Sequence, residues 1–138
     1  MTAIVDASVA IKWVIEEDGT EAARSLALSE PLAAPELLFI ECANVLRTKV
    51  RYGELAPELA RGAMASILAT PIRSVPIKLH AAAAHAIAVE LGTGAYDSLY
   101  LAIALTERAQ MVTADARFAR IAAAHAVYAS SVRLLQQT

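Results

Sequence analysis

Cysteine is nearly absent: Cys42 stands alone, so no disulfide closes within the chain, and a reducing cytoplasm suits it. No apolar stretch is long enough to cross a bilayer, because His80, His85 and Glu90 interrupt the best run. The first residues lack a basic segment leading into an apolar core, which argues against a signal peptide. Positive charge is also in short supply. The formal net charge of -2 excludes a protein that grips nucleic acid by bulk charge. Any contact with nucleic acid must therefore be local or carried by metal ions. Internal repeats, linkers and low-complexity segments are missing as well.

What is present is hydrophobic. Of the 138 residues 57% are apolar, much of that alanine, which excludes disorder and favours alanine-rich helices. The length predicts one domain, residues 1–138, able to bury a core without staples. Strand-like runs at 3–5, 32–34, 72–77 and 111–114 alternate with helical spacing over 8–15, 20–30, 36–52, 57–69, 78–91 and 97–109, and again from 115 to about 124. A last short strand is expected at 127–129, followed by a polar tail. Pro76 marks the run at 72–77 as a short or edge strand. The pattern predicts an α/β fold, with a parallel sheet covered on both faces by helices.

Four carboxylates sit in unusual settings. Asp6 ends the strand Ala3-Ile4-Val5 and turns at once into a helix, at the strand end where open α/β sheets bind ligands. A helix cap explains it equally well. Glu41 lies in the otherwise uncharged run Leu37-Leu38-Phe39-Ile40-Glu41-Cys42-Ala43, with Asn44 and Thr48 continuing one polar stripe. That stripe is either a partly buried functional face or simply the solvated side of the helix. Asp97 opens the helical run from Ser98 to Leu105, where a cap is again the default reading. Asp115 follows Met111-Val112-Thr113-Ala114 and repeats the geometry of Asp6 at the same sheet edge.

If these groups converge, electrostatics calls for a cation. Two carboxylates about 4 Å apart repel by about 4 kcal/mol at an effective dielectric near 20. Without a counter-ion some would be protonated instead. No histidine or cysteine accompanies all four, so an all-oxygen site for magnesium or manganese is expected rather than zinc. Such ions bind phosphate oxygens, activate water and stabilise a leaving oxygen in phosphodiester hydrolysis.

Taken together, Val5-Asp6-Ala7-Ser8, Glu41 with Asn44, Tyr96-Asp97-Ser98-Leu99-Tyr100 and Thr113-Ala114-Asp115-Ala116-Arg117-Phe118 resemble the PIN-domain family. Within it they resemble the VapC-type toxins of bacterial toxin–antitoxin pairs, over essentially the whole chain. The resemblance implies a three-layer α/β/α domain with a central parallel sheet. It implies a Mg- or Mn-dependent endoribonuclease, a homodimer inhibited by a cognate VapB-type antitoxin. It makes Asp6, Glu41, Asp97 and Asp115 the catalytic and metal-binding acids, with Ser8, Asn44 and Thr113 as polar supports of the pocket. In-line attack by a metal-activated water would leave a 5′-phosphate and a 3′-hydroxyl. Two other readings stand beside it. One is a non-catalytic PIN-like interaction module, which a missing acid would favour; none is missing. The other is a phosphoacceptor with Asp6 as nucleophile, weakened because Ser8 stands where a second Asp is wanted.

Other residues have plainer explanations. His80 and His85 are poorly spaced for a shared metal, and His125 has no implied partner. Gly92-Thr93-Gly94 follows a helix and lacks a third glycine, so it is no dinucleotide fingerprint. Lys12, Arg47, Lys49 and Arg51 read as solvated or dipole-complementing cations, with a phosphate contact as the minority alternative. Trp13 reads as core or interface. Val9, Trp13, Val14, Leu26 and Leu28, and beyond Pro57 also Leu59, Met64 and Leu68, are the expected apolar surfaces for a second copy or an amphipathic antitoxin segment.

Overall fold

The computed structural model describes residues 1–136. Among the described residues five strands and seven α-helices follow one another as β1 (Ala3–Val5), α1 (Ala7–Val14), α2 (Thr20–Ser29), β2 (Leu32–Pro35), α3 (Leu37–Arg51), α4 (Pro57–Ala69), β3 (Ile72–Val75), α5 (Ala81–Leu91), α6 (Ala95–Glu107), β4 (Gln110–Thr113), α7 (Ala116–Ala123) and β5 (Val132–Leu134). Every strand pairing is parallel, in the order β3-β2-β1-β4-β5. The chain first winds outward from β1 to β2 and β3, then returns to place β4 on the other side of β1. That reversal opens a crevice beyond the carboxyl ends of β1 and β4.

Alternation along the strands separates two cores. Ala3, Val5, Ala34 and Val112 face the layer formed by α1 to α4, with Leu38, Cys42, Leu46 and Ile67 packed on them. Ile4, Ala33 and Met111 face α5 to α7, against Leu101, Ile103 and Phe118. The three-layer α/β/α expectation is met. No helix among the described residues is long and apolar enough to cross a membrane.

Several boundaries differ from the sequence reading, for local reasons. The first turn of the 78–91 helix is a 3-10 turn, Lys78–His80, ahead of α5. α6 begins at Ala95, with Gly94 as its N-cap, so Asp97 lies inside the first turn rather than opening the helix. The last strand is Val132–Leu134, not 127–129: that segment turns after α7, where Tyr128 donates its backbone N–H to the His125 carbonyl at 3.0 Å. Part of the expected polar tail is therefore edge strand, and Gln137 and Thr138 lie outside the described residues. Val9 and Leu26 are core rather than interface, whereas Leu28, Leu59 and Leu68 are exposed. His125 does find a partner, Glu90, at 3.7 Å.

Candidate active site

β1 ends at Val5, which is paired with Val112, so Asp6 emerges beside Thr113 at the end of β4. Asp6 caps α1 by accepting the Val9 N–H at 3.3 Å. Two hydroxyls hold the same carboxylate. Ser8 Oγ donates to Oδ1 and Thr113 Oγ1 donates to Oδ2, each at 2.5 Å. The hydroxyls also accept backbone N–H groups from the second turn, Ser8 from Ala114 at 2.9 Å and Thr113 from Asp115 at 3.1 Å. The two strand-to-helix turns are thus stitched together through Ser8 and Thr113. Asp115 caps α7 by accepting the Phe118 N–H at 3.0 Å, and its side chain is exposed. Capping and site membership are compatible, because capping Asp6 takes only one N–H.

The other two acids come from the two helical layers. Glu41 projects from α3 and accepts the Tyr100 hydroxyl of α6, so one hydrogen bond spans the crevice between the layers. Tyr100 is itself buried, which fixes its hydroxyl. Asp97, one turn before Tyr100 on α6, is half-buried. Sequence reasoning gave Tyr100 no role; its spacing of three from Asp97 was the available signal. Asn44 is exposed, and its backbone carbonyl accepts the Thr48 hydroxyl at 3.0 Å.

Burial and like charge raise three of these carboxyls. Burial pushes Asp6 from 3.8 to about 6, against the hydroxyl and N–H donors of Ser8, Thr113 and Val9, with the Asp97 charge adding to the rise. Glu41 is raised by burial and then by Asp97, the Tyr100 bond opposing. Burial and then Asp115 raise Asp97, although it lies in a helix first turn that favours negative charge. Asp97 is thus electrostatically linked to all three other acids. None of the four has a Lys, Arg or His ion partner among the described residues. Nor do any three acidic, histidine or cysteine side chains there form a ready-made metal cage. The mutual repulsion and all-oxygen chemistry still fit a hard divalent cation, since magnesium takes one or two carboxylates and completes its shell with water and phosphate.

The model of the PIN domain matches residues 3–124. The chain belongs to the PIN-domain family. Among solved structures it resembles PAE2754 from Pyrobaculum aerophilum, with a TM-score of 0.71 and 21% identity, covering 88% of this chain and 79% of that one. It resembles VapBC2 from Rickettsia felis, solved bound to a DNA fragment from its promoter, with a TM-score of 0.65 and 12% identity over 99% and 100% of the two chains. It also resembles VapC20 of Mycobacterium tuberculosis, described as a sarcin-ricin loop cleaving toxin, at a TM-score of 0.65 and 19% identity over 86% and 93%. Among curated proteins, none matches the sequence. In this PIN domain Asp6 and Asp115 stand just beyond the ends of the central strands β1 and β4, where the chain reversal opens the sheet.

Proposed function

We propose that this PIN domain is a metal-dependent endoribonuclease, the toxin of a VapC-type toxin–antitoxin pair acting in the cytoplasm. The observation that carries the reading is the electrostatic linkage of Asp6, Glu41 and Asp115 through Asp97, with no ion-paired cation on any of them among the described residues. A bound Mg2+ or Mn2+ would supply charge neutralisation and Lewis acidity toward a phosphodiester. Asp6 and Asp97 would hold the ion, with Glu41 and the exposed Asp115 completing the acidic set. Ser8 and Thr113 fix the Asp6 oxygens, and Tyr100 fixes one Glu41 oxygen, so the carboxylates are preorganised rather than gathered by the substrate.

The likeness to VapBC2 of Rickettsia felis and to the sarcin-ricin loop cleaving VapC20 of Mycobacterium tuberculosis supports the toxin assignment. For the antitoxin, a concavity of about 540 Å³ between α1 and α4, bordered by Trp13, Val14, Leu55 and Leu59, offers an apolar bed for an amphipathic segment. A basic side chain from that partner would neutralise the acids in place of the ion. Homodimerisation is part of the same proposal, and light scattering checks it.

A second reading, a non-catalytic PIN-like interaction module, is favoured by the lack of a closed carboxylate cage among the described residues. RNA cleavage by chelator-treated protein, with and without added magnesium or manganese, separates the two.

A further inference from the structure

Beside the acids, but lined by none of them, lies a cleft of about 370 Å³ walled by Ser8 and Lys12 of α1, Glu17, Val45 and Lys49 of α3, and Ala114. Its near end is Ser8, the residue that holds Asp6. Its far end carries two lysines and one glutamate. Lys12 is buried and committed: its Nζ lies 3.2 Å from Glu17 Oε1 and donates to the Asp18 carbonyl at 2.6 Å. Lys49 is different. Its Nζ stands 3.9 Å from Glu17 Oε2, within ion-pair range but beyond hydrogen-bond length, and its side chain is only 21% exposed. A mostly covered ammonium that makes no hydrogen bond to the described residues retains donor capacity for a ligand. Two cations sharing one carboxylate leave the cleft with a surplus positive charge, in contrast to its acidic neighbour.

The spacing suits a nucleic-acid strand. Glu41, Val45 and Lys49 recur every four residues along α3, so the helix leads from an acid to the Lys49 ammonium over eight residues, about 12 Å. Lys12 lies one turn beyond Ser8 on α1. Arg47 is exposed and outside the cleft, and Arg51 lies over the Tyr52 ring at 6.0 Å, so the α3 cations are not equivalent. We propose that this cleft binds a backbone phosphate of single-stranded RNA flanking the one presented to the acids, with Lys49 as the contacting group. Lys12 and Glu17 act as positioning residues, the glutamate holding the ammonium until phosphate displaces it. The inference rests on the nuclease reading for the register of the strand.

The test is fluorescence anisotropy of a labelled mixed-sequence single-stranded RNA with the full chain in EDTA, across a salt series, alongside cleavage kinetics in magnesium. Lys49→Ala is expected to weaken binding about tenfold, the loss of one charge-assisted hydrogen bond. It should lower the slope of log affinity against log salt by about 0.7, as for one phosphate on a single strand. Lys49→Arg should retain binding, Glu17→Gln should tighten it, and Arg47→Ala should leave it unchanged. In magnesium, Lys49→Ala should raise KM with little change in kcat. Equal effects of Lys49→Ala and Arg47→Ala, or none from either, would overturn the proposal. Antitoxin binding that depends on Lys49 while RNA binding does not would overturn it too, assigning the cleft to the protein partner. Wild type that binds RNA through Lys49 but never cleaves it would leave the cleft standing and remove the nuclease; cleavage that ignores Lys49 does the reverse.

Discussion

Asp6 shows how one residue serves fold and site against an electrostatic cost. Folding raises its carboxyl from 3.8 to about 6, which disfavours the ionised form by about 3 kcal/mol. The folded chain binds this proton more tightly than the unfolded chain. The resulting stabilisation is complete below about pH 4 and is lost as the pH rises through about 6. Urea unfolding of metal-free protein should therefore show this contribution falling between pH 4 and 6 and level above. Asp6→Asn should remove that slope and leave the protein as stable or slightly more so at pH 7, since Ser8 and Val9 keep the amide oxygen as acceptor and the Thr113 hydroxyl turns from donating to accepting the amide NH2. A variant that fails to fold would show that the charged cap, rather than the site, explains the residue. Tyr100→Phe probes the other side of the crevice. It removes the donor to Glu41 and should cost about 1–2 kcal/mol, read from denaturation midpoints, without opening a cavity.

Among the elements, α6 carries the most constraint. It is buried from Ser98 to Ala104, presents Asp97 and Tyr100 toward the crevice, and ends on Arg108 in the left-handed region at φ 53°. A side chain there is strained, so Arg108→Gly should raise stability by a few tenths to about 1 kcal/mol in thermal melts. The buried stretch, with the α/β alternation and the edge character of β3 beside Pro76, was legible because hydrophobic period and proline placement are local signals. The start of α6 was not. Asp97 is a good capping residue, yet Gly94 takes the extended N-cap conformation and the exposed Ala95 and Tyr96 already form the first turn, which capping preference alone does not reveal. β5 was missed because its inward face is slight: Val132, Arg133 and Leu134 are an edge segment held by Met111, Val112 and Thr113 and by the Arg133–Glu30 pair at 2.8 Å. At the site, strand ends and motif order drew attention to the four acids. The Tyr100 bond to Glu41 and the Glu17–Lys49 pair depend on elements distant in sequence or on side-chain direction, which spacing alone does not fix.

For the molecule as a whole, the proposed function makes the acidic crevice a region of stored repulsion that a divalent ion would relieve. Magnesium should raise the stability of wild type by about 2.7 kcal/mol at a hundredfold excess over its dissociation constant. Asp97→Asn should lose most of this gain, because Asp97 is the charge linked to the other three acids. Calorimetric melts with and without the ion check the difference. The most direct measurement of the central claim is cleavage of total cellular RNA by chelator-treated protein, with magnesium or manganese restored. Discrete fragments are expected from wild type only when an ion is present, and none from a folded Asp97→Asn variant. No cleavage by wild type with either ion, or equal cleavage by wild type and Asp97→Asn, would contradict it.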